Sequence, residues 1–150
     1  MLELNLPKFD FRLKKEKNGL QIFDIYRKKY VKLTPEEWVR QNFLNFLIGE
    51  KSYPLGLVAV EKELKINDMR KRCDAIIYDS HAKPLVIIEL KAPHVPITQD
   101  VFDQVAVYNS KLKVDFFMIS NGMEHHCCRV DNSKTTYHFF QEIPKFSELF

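Results

Sequence analysis

Apolar residues occur along this chain mostly in short runs, interrupted by two longer segments in which they recur every three or four positions. The short runs are rich in β-branched residues and bounded by turn residues, which predicts strands, whereas the longer spacing predicts amphipathic helices. In chain order the predicted elements are a hairpin, a helix, three strands, a helix, a strand and a last hairpin. This order predicts an α/β fold with a mixed sheet flanked by helices and a β-hairpin at each end.

The N-terminal hairpin is predicted at about 9–26, because apolar residues alternate on both sides of Asn18-Gly19, a strong two-residue turn pair. Basic residues cluster in this segment and just after it. A solvated surface is the ordinary interpretation of such a cluster. The functional alternative is contact with nucleic-acid phosphates, for which we single out Lys28 and Lys29.

A capped helix is predicted next. Thr34 is its expected N-cap, a proline follows, and Glu37 completes a capping box; the helix is expected to end near Ile48, before a glycine. Because the cap engages Glu37, Glu36 is the acid left free, and Arg40 lies one turn further on. The helix dipole also favours an acid at this position, so a structural role for Glu36 stays open.

Two strands, 75–78 and 85–90, flank a polar turn and are predicted to pair as a hairpin. A turn at the midpoint of the intervening residues places Asp74 directly opposite Glu89. Side chains alternate along a strand, so Glu89 and Lys91 point to the same face and the residue between them points into the apolar layer. The hairpin therefore gathers two carboxylates and one ammonium group on one face.

Facing carboxylates repel each other, so this arrangement needs a compensating cation. Lys91 is one candidate, in which case the acids form a structural ion cluster with Lys91 paired to Glu89. A divalent metal is the other. The carboxylates of Asp74 and Glu89, with the backbone carbonyl of Leu90, suit a hard ion such as Mg²⁺, which usually takes only one or two protein carboxylates.

The first of the three core strands is predicted at 57–66. Strict alternation along it places Val58 and Val60 on one face and Glu61 on the other. The strand also contains a second Glu-Leu-Lys tripeptide, starting at Glu63. The tripeptide alone is therefore weak evidence for a metal site, and its neighbours have to distinguish the two copies.

The second helix is predicted at 98–111, and a buried strand follows at 114–120. Strand, helix and strand in this order predict a crossover connection with parallel pairing. Gln104 lies one helical turn before Tyr108, which belongs to the apolar stripe of the helix. The last hairpin is predicted from strands at 124–130 and 135–140, followed by a short helical or irregular tail.

Composition adds few constraints. The chain has 150 residues, 45% of them hydrophobic, which suits a single domain spanning 1–150, and its net charge of +3 permits nucleic-acid binding without requiring it.

Three cysteines, two of them adjacent, do not suggest a disulfide framework, so we expect a reducing cytoplasm. No secretory signal or membrane span is expected. Alternation along His125-His126-Cys127-Cys128 allows at most two of these side chains to share a metal, which disfavours zinc.

Taken together, the order of these elements and motifs resembles the PD-(D/E)xK nuclease superfamily. Within that superfamily, Leu33 to about Gly122, roughly 90 of the 150 residues, is similar to the N-terminal nuclease domain of type I restriction enzyme R subunits. The matching stretches are Thr34–Gln41, Arg72–Asp74, Pro84–Pro93, Gln104 with Tyr108, and Ser120–Gly122.

The resemblance implies a restriction-endonuclease-like fold and a metal-dependent DNA endonuclease of restriction or defence type. In that reaction Asp74 and Glu89 would hold Mg²⁺ or Mn²⁺, Lys91 would position or activate the attacking water, Gln104 would lie beside the catalytic face, and Glu36 would be a further acid. Contacts to nucleic acid are expected from Tyr108, Arg40, Arg72, Lys28 and Lys29.

Two features depart from the resembled family. Cys73 stands where the superfamily motif has proline. The helicase motor of restriction R subunits is not found in this sequence, so translocation-coupled cleavage is not carried over from that family. DNA is the expected partner, with a second copy or a separate motor or specificity subunit. A different class of function is also left open: a non-catalytic module that binds nucleic acid or protein on a nuclease fold.

Overall fold

The computed structural model describes residues 1–134 and 136–150, and its core follows the predicted order of helix, three strands, helix and strand. A three-stranded sheet precedes this core and a strand pair follows it. The helices are α1 (Pro35–Glu50) and α2 (Gln99–Leu112). The strands are β1 (Leu13–Glu16), β2 (Gly19–Asp24), β3 (Lys29–Lys32), β4 (Val58–Ile66), β5 (Met69–Tyr78), β6 (Pro84–Leu90), β7 (Phe116–Ser120), β8 (His125–Asp131) and β9 (Thr136–Phe139).

The main sheet contains six strands in the sequential order β4 to β9. All neighbours are antiparallel except β6 and β7, which are parallel across the α2 crossover, as predicted. The final hairpin of β8 and β9 is also confirmed. Thr135, the first residue of the predicted last strand, lies outside the described residues. A 3₁₀ turn, Phe146–Leu149, is found in the tail.

The N-terminal sheet has the strand order β1-β2-β3. Its first two strands confirm the predicted hairpin, although they are shorter than the predicted span. The third strand was not predicted, because its sequence, Lys-Tyr-Val-Lys, is short and half basic. It forms because Val31 pairs with the buried Ile22 of the middle strand, so tertiary packing decides where local propensity does not.

The register of the central hairpin is the predicted one. Ala75 pairs with Ile88 and Ile76 with Ile87 before a bulge at the turn end of the hairpin. Continuing this register by one residue brings Asp74 and Glu89 opposite each other at the end of the ladder. Strand β5 begins six residues earlier than predicted because its first half pairs with β4 rather than with β6.

The predicted alternation along β4 is wrong beyond Glu61. This residue has a left-handed backbone with φ of 50°, and the ladder to β5 is interrupted there. Val58 and Val60 pack into one apolar layer, whereas Leu64 and Ile66 pack into the other, although strict alternation would put all four on one face. The strand therefore exchanges its buried face at the position of Glu61.

Two apolar layers cover the main sheet. The layer on the α1 side contains Val39, Phe43 and Leu47, and the layer on the α2 side contains Val101 and Val105. The predicted stripe of α2 is thus confirmed. Helix α1 continues past its predicted end near Ile48, through Gly49 to Glu50. Among the described residues, neither helix has the length and hydropathy needed to cross a membrane.

Candidate active site

A cleft of about 520 Å³ opens at the end of the central hairpin, where β4, β5 and β6 meet the N-terminus of α1 and the N-terminal sheet. Its lining is dominated by charge. The acidic residues are Glu36, Glu37, Glu61, Asp74 and Glu89, and the basic residues are Arg27, Lys32, Arg40, Arg72 and Lys91. The uncharged lining residues include Gln104, Thr34 and Cys73.

Asp74 and Glu89 are the two most buried carboxylates of the predicted set, with 7% and 3% of their surface exposed. Both oxygens of Asp74 accept hydrogen bonds: Oδ1 from Arg40 Nη2 at 2.6 Å, and Oδ2 from the backbone N–H of Leu90 at 2.8 Å. Asp74 is therefore anchored between α1 and β6. The second bond also ties the end of β6 to β5 one residue beyond Glu89.

Glu89 is held less completely than Asp74. Its Oε1 lies 3.4 Å from Lys91 Nζ and accepts a hydrogen bond from Gln104 Nε2 at 3.3 Å. Its Oε2 is buried and has no hydrogen-bond partner among the described residues. Desolvation, and then the negative charge of Asp74, raise the pKa of Glu89 well above its usual range, although Lys91 acts in the opposite direction.

Helix α2 supplies the partner that fixes Lys91. Gln104 Oε1 accepts a hydrogen bond from Lys91 Nζ at 3.1 Å, and its Nε2 also donates to Tyr108 Oη at 3.2 Å. The Tyr108 hydroxyl in turn donates to the backbone carbonyl of Arg72 at 2.8 Å. The i, i+4 spacing of Gln104 and Tyr108 therefore builds one continuous chain of hydrogen bonds from β5 to Glu89.

The expected division of roles between Glu36 and Glu37 is partly wrong. Thr34 caps α1 by accepting from the Glu37 N–H at 3.0 Å, but the Glu37 carboxylate turns inward to Arg40 and Gln41 instead of completing a capping box. Its position is decided by buried cations rather than by the helix end. Glu36 lies at the cleft, where partial desolvation and then Asp74 raise its pKa.

A buried arginine network, not predicted from the sequence, forms the wall on the α1 side. Arg40 Nη1 lies 2.6 Å from Glu37, and Arg27 lies 2.7 Å from Glu37 and 3.0 Å from Glu61. Arg27 also pairs with Asp24, which is fully buried. Desolvation opposes the charge of Arg40, but the neighbouring carboxylates outweigh it and raise its pKa.

The predicted nucleic-acid contacts occupy three different settings. Arg72 lines the cleft with 62% of its side chain exposed. Arg40 is a buried lining residue with 7% of its surface exposed, whereas Tyr108, 4% exposed, lies outside the lining and contacts it through Gln104. Lys28 and Lys29 are exposed but do not line the cleft, where Arg27 and Lys32 of the same segment are found instead. The cluster of basic residues in the sequence pointed to this segment, but not to Arg27 and Lys32 as the residues that line the cleft.

The donor set around Asp74 and Glu89 fits a hard divalent cation. Both side chains offer oxygen ligands, and the unpaired Glu89 Oε2 is a buried acceptor whose charge needs compensation. Within the described ranges, no group of three His, Cys, Asp or Glu side chains has a metal-binding arrangement. A two-carboxylate site is compatible with Mg²⁺, which completes its octahedron with water. Asp74 Oδ1 would have to exchange Arg40 for the cation.

Comparisons with known proteins agree with this fold. Residues 35–144 match the family model for the type I restriction enzyme R protein N terminus. No curated protein matches. A fragment assigned as the HsdR subunit of a type I restriction enzyme from Vibrio vulnificus YJ016 superposes with a TM-score of 0.58 at 17% identity, covering 78% of this chain and 24% of that one. A protein assigned as a nuclease of DUF820 from Anabaena variabilis ATCC 29413 gives 0.47 at 11% identity, with 91% and 87% covered.

Proposed function

Because this chain belongs to the family of type I restriction enzyme R protein N-terminal domains, we propose that it is a metal-dependent nuclease that hydrolyses DNA phosphodiester bonds. Internal cleavage is favoured over attack at strand ends, and the setting is restriction or defence. The chain spans 24% of the length of the matched Vibrio chain. The proposed partner is DNA, together with a second copy of the chain or a separate motor or specificity subunit.

One observation carries the proposal: the facing pair Asp74 and Glu89 with Lys91 and Gln104 on the same side of the cleft. Glu89, Lys91 and Gln104 form one connected set of contacts of 3.1–3.4 Å, and Asp74, opposite Glu89, is anchored beside them by Arg40 at 2.6 Å. Within that set Glu89 Oε2 is buried without a partner. A buried carboxylate oxygen without a partner, next to a second carboxylate, favours a bound cation over a purely structural ion cluster, because a metal ligand requires a free lone pair.

In the proposed reaction, Asp74, Glu89 and the Leu90 carbonyl would hold Mg²⁺ or Mn²⁺. When bound, such an ion polarises the phosphoryl oxygen and lowers the pKa of coordinated water. Lys91 orients the attacking water and stabilises charge that develops on the phosphoryl group. Gln104 keeps Lys91 beside Glu89 through its 3.1 Å hydrogen bond.

Several other residues have supporting roles in the proposal. Glu36 is a further acid at the cleft, and Arg72 contacts the DNA backbone. Lys28 and Lys29 contribute long-range attraction to phosphates from outside the cleft. The buried Arg40 and Tyr108, which sequence reasoning assigned to direct nucleic-acid contact, act better as positioning residues because their polar groups are already bound to Asp74 and Arg72. The three cysteines are free thiols, which supports a reducing compartment such as the cytoplasm.

One observation favours the rival function, a nuclease-fold module that binds nucleic acid or protein without cutting. Arg40 neutralises Asp74 at 2.6 Å and, with the Leu90 N–H, occupies both of its oxygens. If a divalent cation does not displace Arg40 from Asp74, the charge of Asp74 stays neutralised and the domain has no reaction to catalyse.

The two functions separate in a cleavage assay with purified protein. Supercoiled, linear and single-stranded DNA are incubated with Mg²⁺ or Mn²⁺, using wild type, Asp74→Ala and Lys91→Ala. Lys65→Ala serves as the matched control, because Lys65 is the lysine of the other Glu-Leu-Lys tripeptide, in β4. The nuclease function requires cleavage that disappears in the first two variants and persists in the control. Salt-sensitive DNA binding without cleavage in wild type supports the binding module.

A further inference from the structure

The N-terminal sheet has one face that turns away from the cleft network, and this outer face carries a pair of aromatic rings. Ile22 and Asp24 of β2 are fully buried on the inner face. Phe23, between them, points the other way and pairs with Tyr30 of β3. The two ring centroids lie 5.2 Å apart at an angle of 70°, and 38% of the Tyr30 surface is exposed.

The aromatic pair is surrounded by basic side chains. The Arg12 guanidinium lies 4.0 Å from the Phe23 ring centroid, and Lys14 Nζ lies 5.6 Å from that of Tyr30. Lys32 pairs in register with Gln21 and so shares this face. The acid on the same face is Glu16, which pairs with Lys14 at 2.9 Å. Three cations against one carboxylate leave the outer face positively charged.

The outer face is continuous with the candidate active site. Lys32, at the end of β3, lines both the sheet surface and the cleft. Two residues further on, Thr34 caps the helix that carries Glu36 and Arg40. Tyr30 and Lys32 are separated by two strand positions, which is about 7 Å. A polymer bound along the outer face can therefore reach the cleft by way of Lys32.

We propose that the outer face of the N-terminal sheet binds single-stranded DNA, with bases stacked on Tyr30 and on the Arg12–Phe23 pair and phosphates held by Lys14 and Lys32. Charge complementarity requires a polyanion, and exposed rings between the cations are the arrangement that accepts unpaired bases. Paired bases do not offer their faces to a protein surface in this way. The idea that the bound DNA continues into the cleft to be cut rests on the proposed nuclease function, whereas binding of DNA to the outer face does not.

Binding is tested apart from cleavage by fluorescence anisotropy in EDTA, with labelled oligothymidylate of about 15 nucleotides and a duplex of equal length. Tyr30→Leu is expected to weaken single-strand binding about tenfold, whereas Tyr30→Phe, which keeps the ring, retains it. Lys14→Gln is expected to reduce the slope of log affinity against log salt by about 0.7. Lys15→Gln, on the same strand but the opposite face, is the matched control and leaves the slope unchanged.

Unchanged single-strand affinity in Tyr30→Leu, or equal effects of Lys14→Gln and Lys15→Gln, overturns the proposal. So does duplex binding that is as tight as single-strand binding and equally sensitive to Tyr30. Thermal melts of each variant exclude unfolding as the cause. If the expected binding pattern is found but no DNA is cut with Mg²⁺ or Mn²⁺, the nuclease function fails and this site stands. If DNA is cut but binding is unaffected by the substitutions of Tyr30 and Lys14, the nuclease function stands and this binding site fails.

Discussion

The chain contains the tripeptide Glu-Leu-Lys twice, and the structure places the two copies in opposite environments. In β4, Glu63 is exposed and pairs with Arg70 at 3.5 Å, and Lys65 lies 3.8 Å from Asp68 with 72% of its side chain exposed. In β6, Glu89 is 3% exposed, and Lys91 contacts it at 3.4 Å. In the β4 copy, both charged residues pair with exposed residues of the β4–β5 hairpin.

The difference lies in what surrounds each copy, not in the tripeptide. Glu89 has a second buried carboxylate opposite it and a glutamine from α2 that links it to Lys91. Glu63 faces the exposed Arg72 in the ladder, and its charge stays in water. Of the two glutamates, Glu89 is therefore the one whose ionised form is made costly by burial and a like-charged neighbour.

The largest difference between the two copies is expected in catalysis. Glu89→Gln removes a proposed ligand that carries charge, and we expect the DNA cleavage rate to fall about 1,000-fold, equivalent to about 4 kcal/mol of transition-state stabilisation. Glu63→Gln, the matched change in β4, should stay within about twofold of wild type because its charge is solvated. Initial rates of plasmid nicking measure both. Similar losses in the two variants would remove the distinction.

The next largest difference concerns stability. Arg40→Ala leaves Asp74 as a buried carboxylate without its cation and leaves Glu37 with Arg27 alone, and we expect the free energy of unfolding to fall by about 3 kcal/mol. Arg70→Ala removes the exposed partner of Glu63 and should change it by less than about 0.5 kcal/mol. Urea denaturation monitored by circular dichroism measures both. A small effect at Arg40 would mean that the buried network relaxes or admits water.

The contribution of α2 to the buried copy can be measured separately. Gln104→Ala breaks the hydrogen bonds to Lys91 and Glu89, and we expect kcat to fall about 30-fold with a smaller change in KM, as for other groups that orient a ligand. Gln99→Ala, which removes an exposed hydrogen bond to Asp103 in the same helix, is the control. An effect of Gln104→Ala confined to KM would instead indicate a substrate contact.

The smallest expected difference is the change in stability over a single pH unit in EDTA. Folding raises the pKa of Glu89, so its contribution favours the folded state at low pH and is lost as the pH rises above the ordinary glutamate value of 4.5. The loss is at most about 1.4 kcal/mol per pH unit. Urea midpoints from pH 5 to 9 should fall less steeply in Glu89→Gln than in wild type. Glu63→Gln should keep the wild-type slope, and a slope unchanged by Glu89→Gln would contradict the assignment.

Sequence reasoning located the parts of this site that depend on short-range regularities. Strand alternation and the midpoint of one turn were enough to place Asp74 opposite Glu89, and helical spacing was enough to relate Gln104 to Tyr108. These relations are fixed by the periods of strand and helix. The apolar run before Glu89, the partner Asp74 opposite it and the helix that follows then indicated which of the two tripeptides to prefer.

The arginine wall could not be predicted in the same way. Arg27, Glu37 and Glu61 come from three elements that meet only in the folded chain, and their contacts are made by the tips of long side chains. No local period relates them. Likewise, β3 forms because Ile22 offers a buried partner to Val31, which becomes known only after the middle strand has been placed.

The exchange of faces at Glu61 has a consequence for the uniqueness of strand pairing. In an ordinary amphipathic strand, a slip by two residues keeps every side chain on its original face, so such a slip is only weakly opposed by burial. In β4 the residues before Glu61 belong to one apolar layer and those after it to the other. A two-residue slip would bring Lys62 to the apolar position of Val60 in one direction and to that of Leu64 in the other. The exchange of faces at Glu61 therefore disfavours alternative registers of β4 against β5, the strand that leads to Asp74.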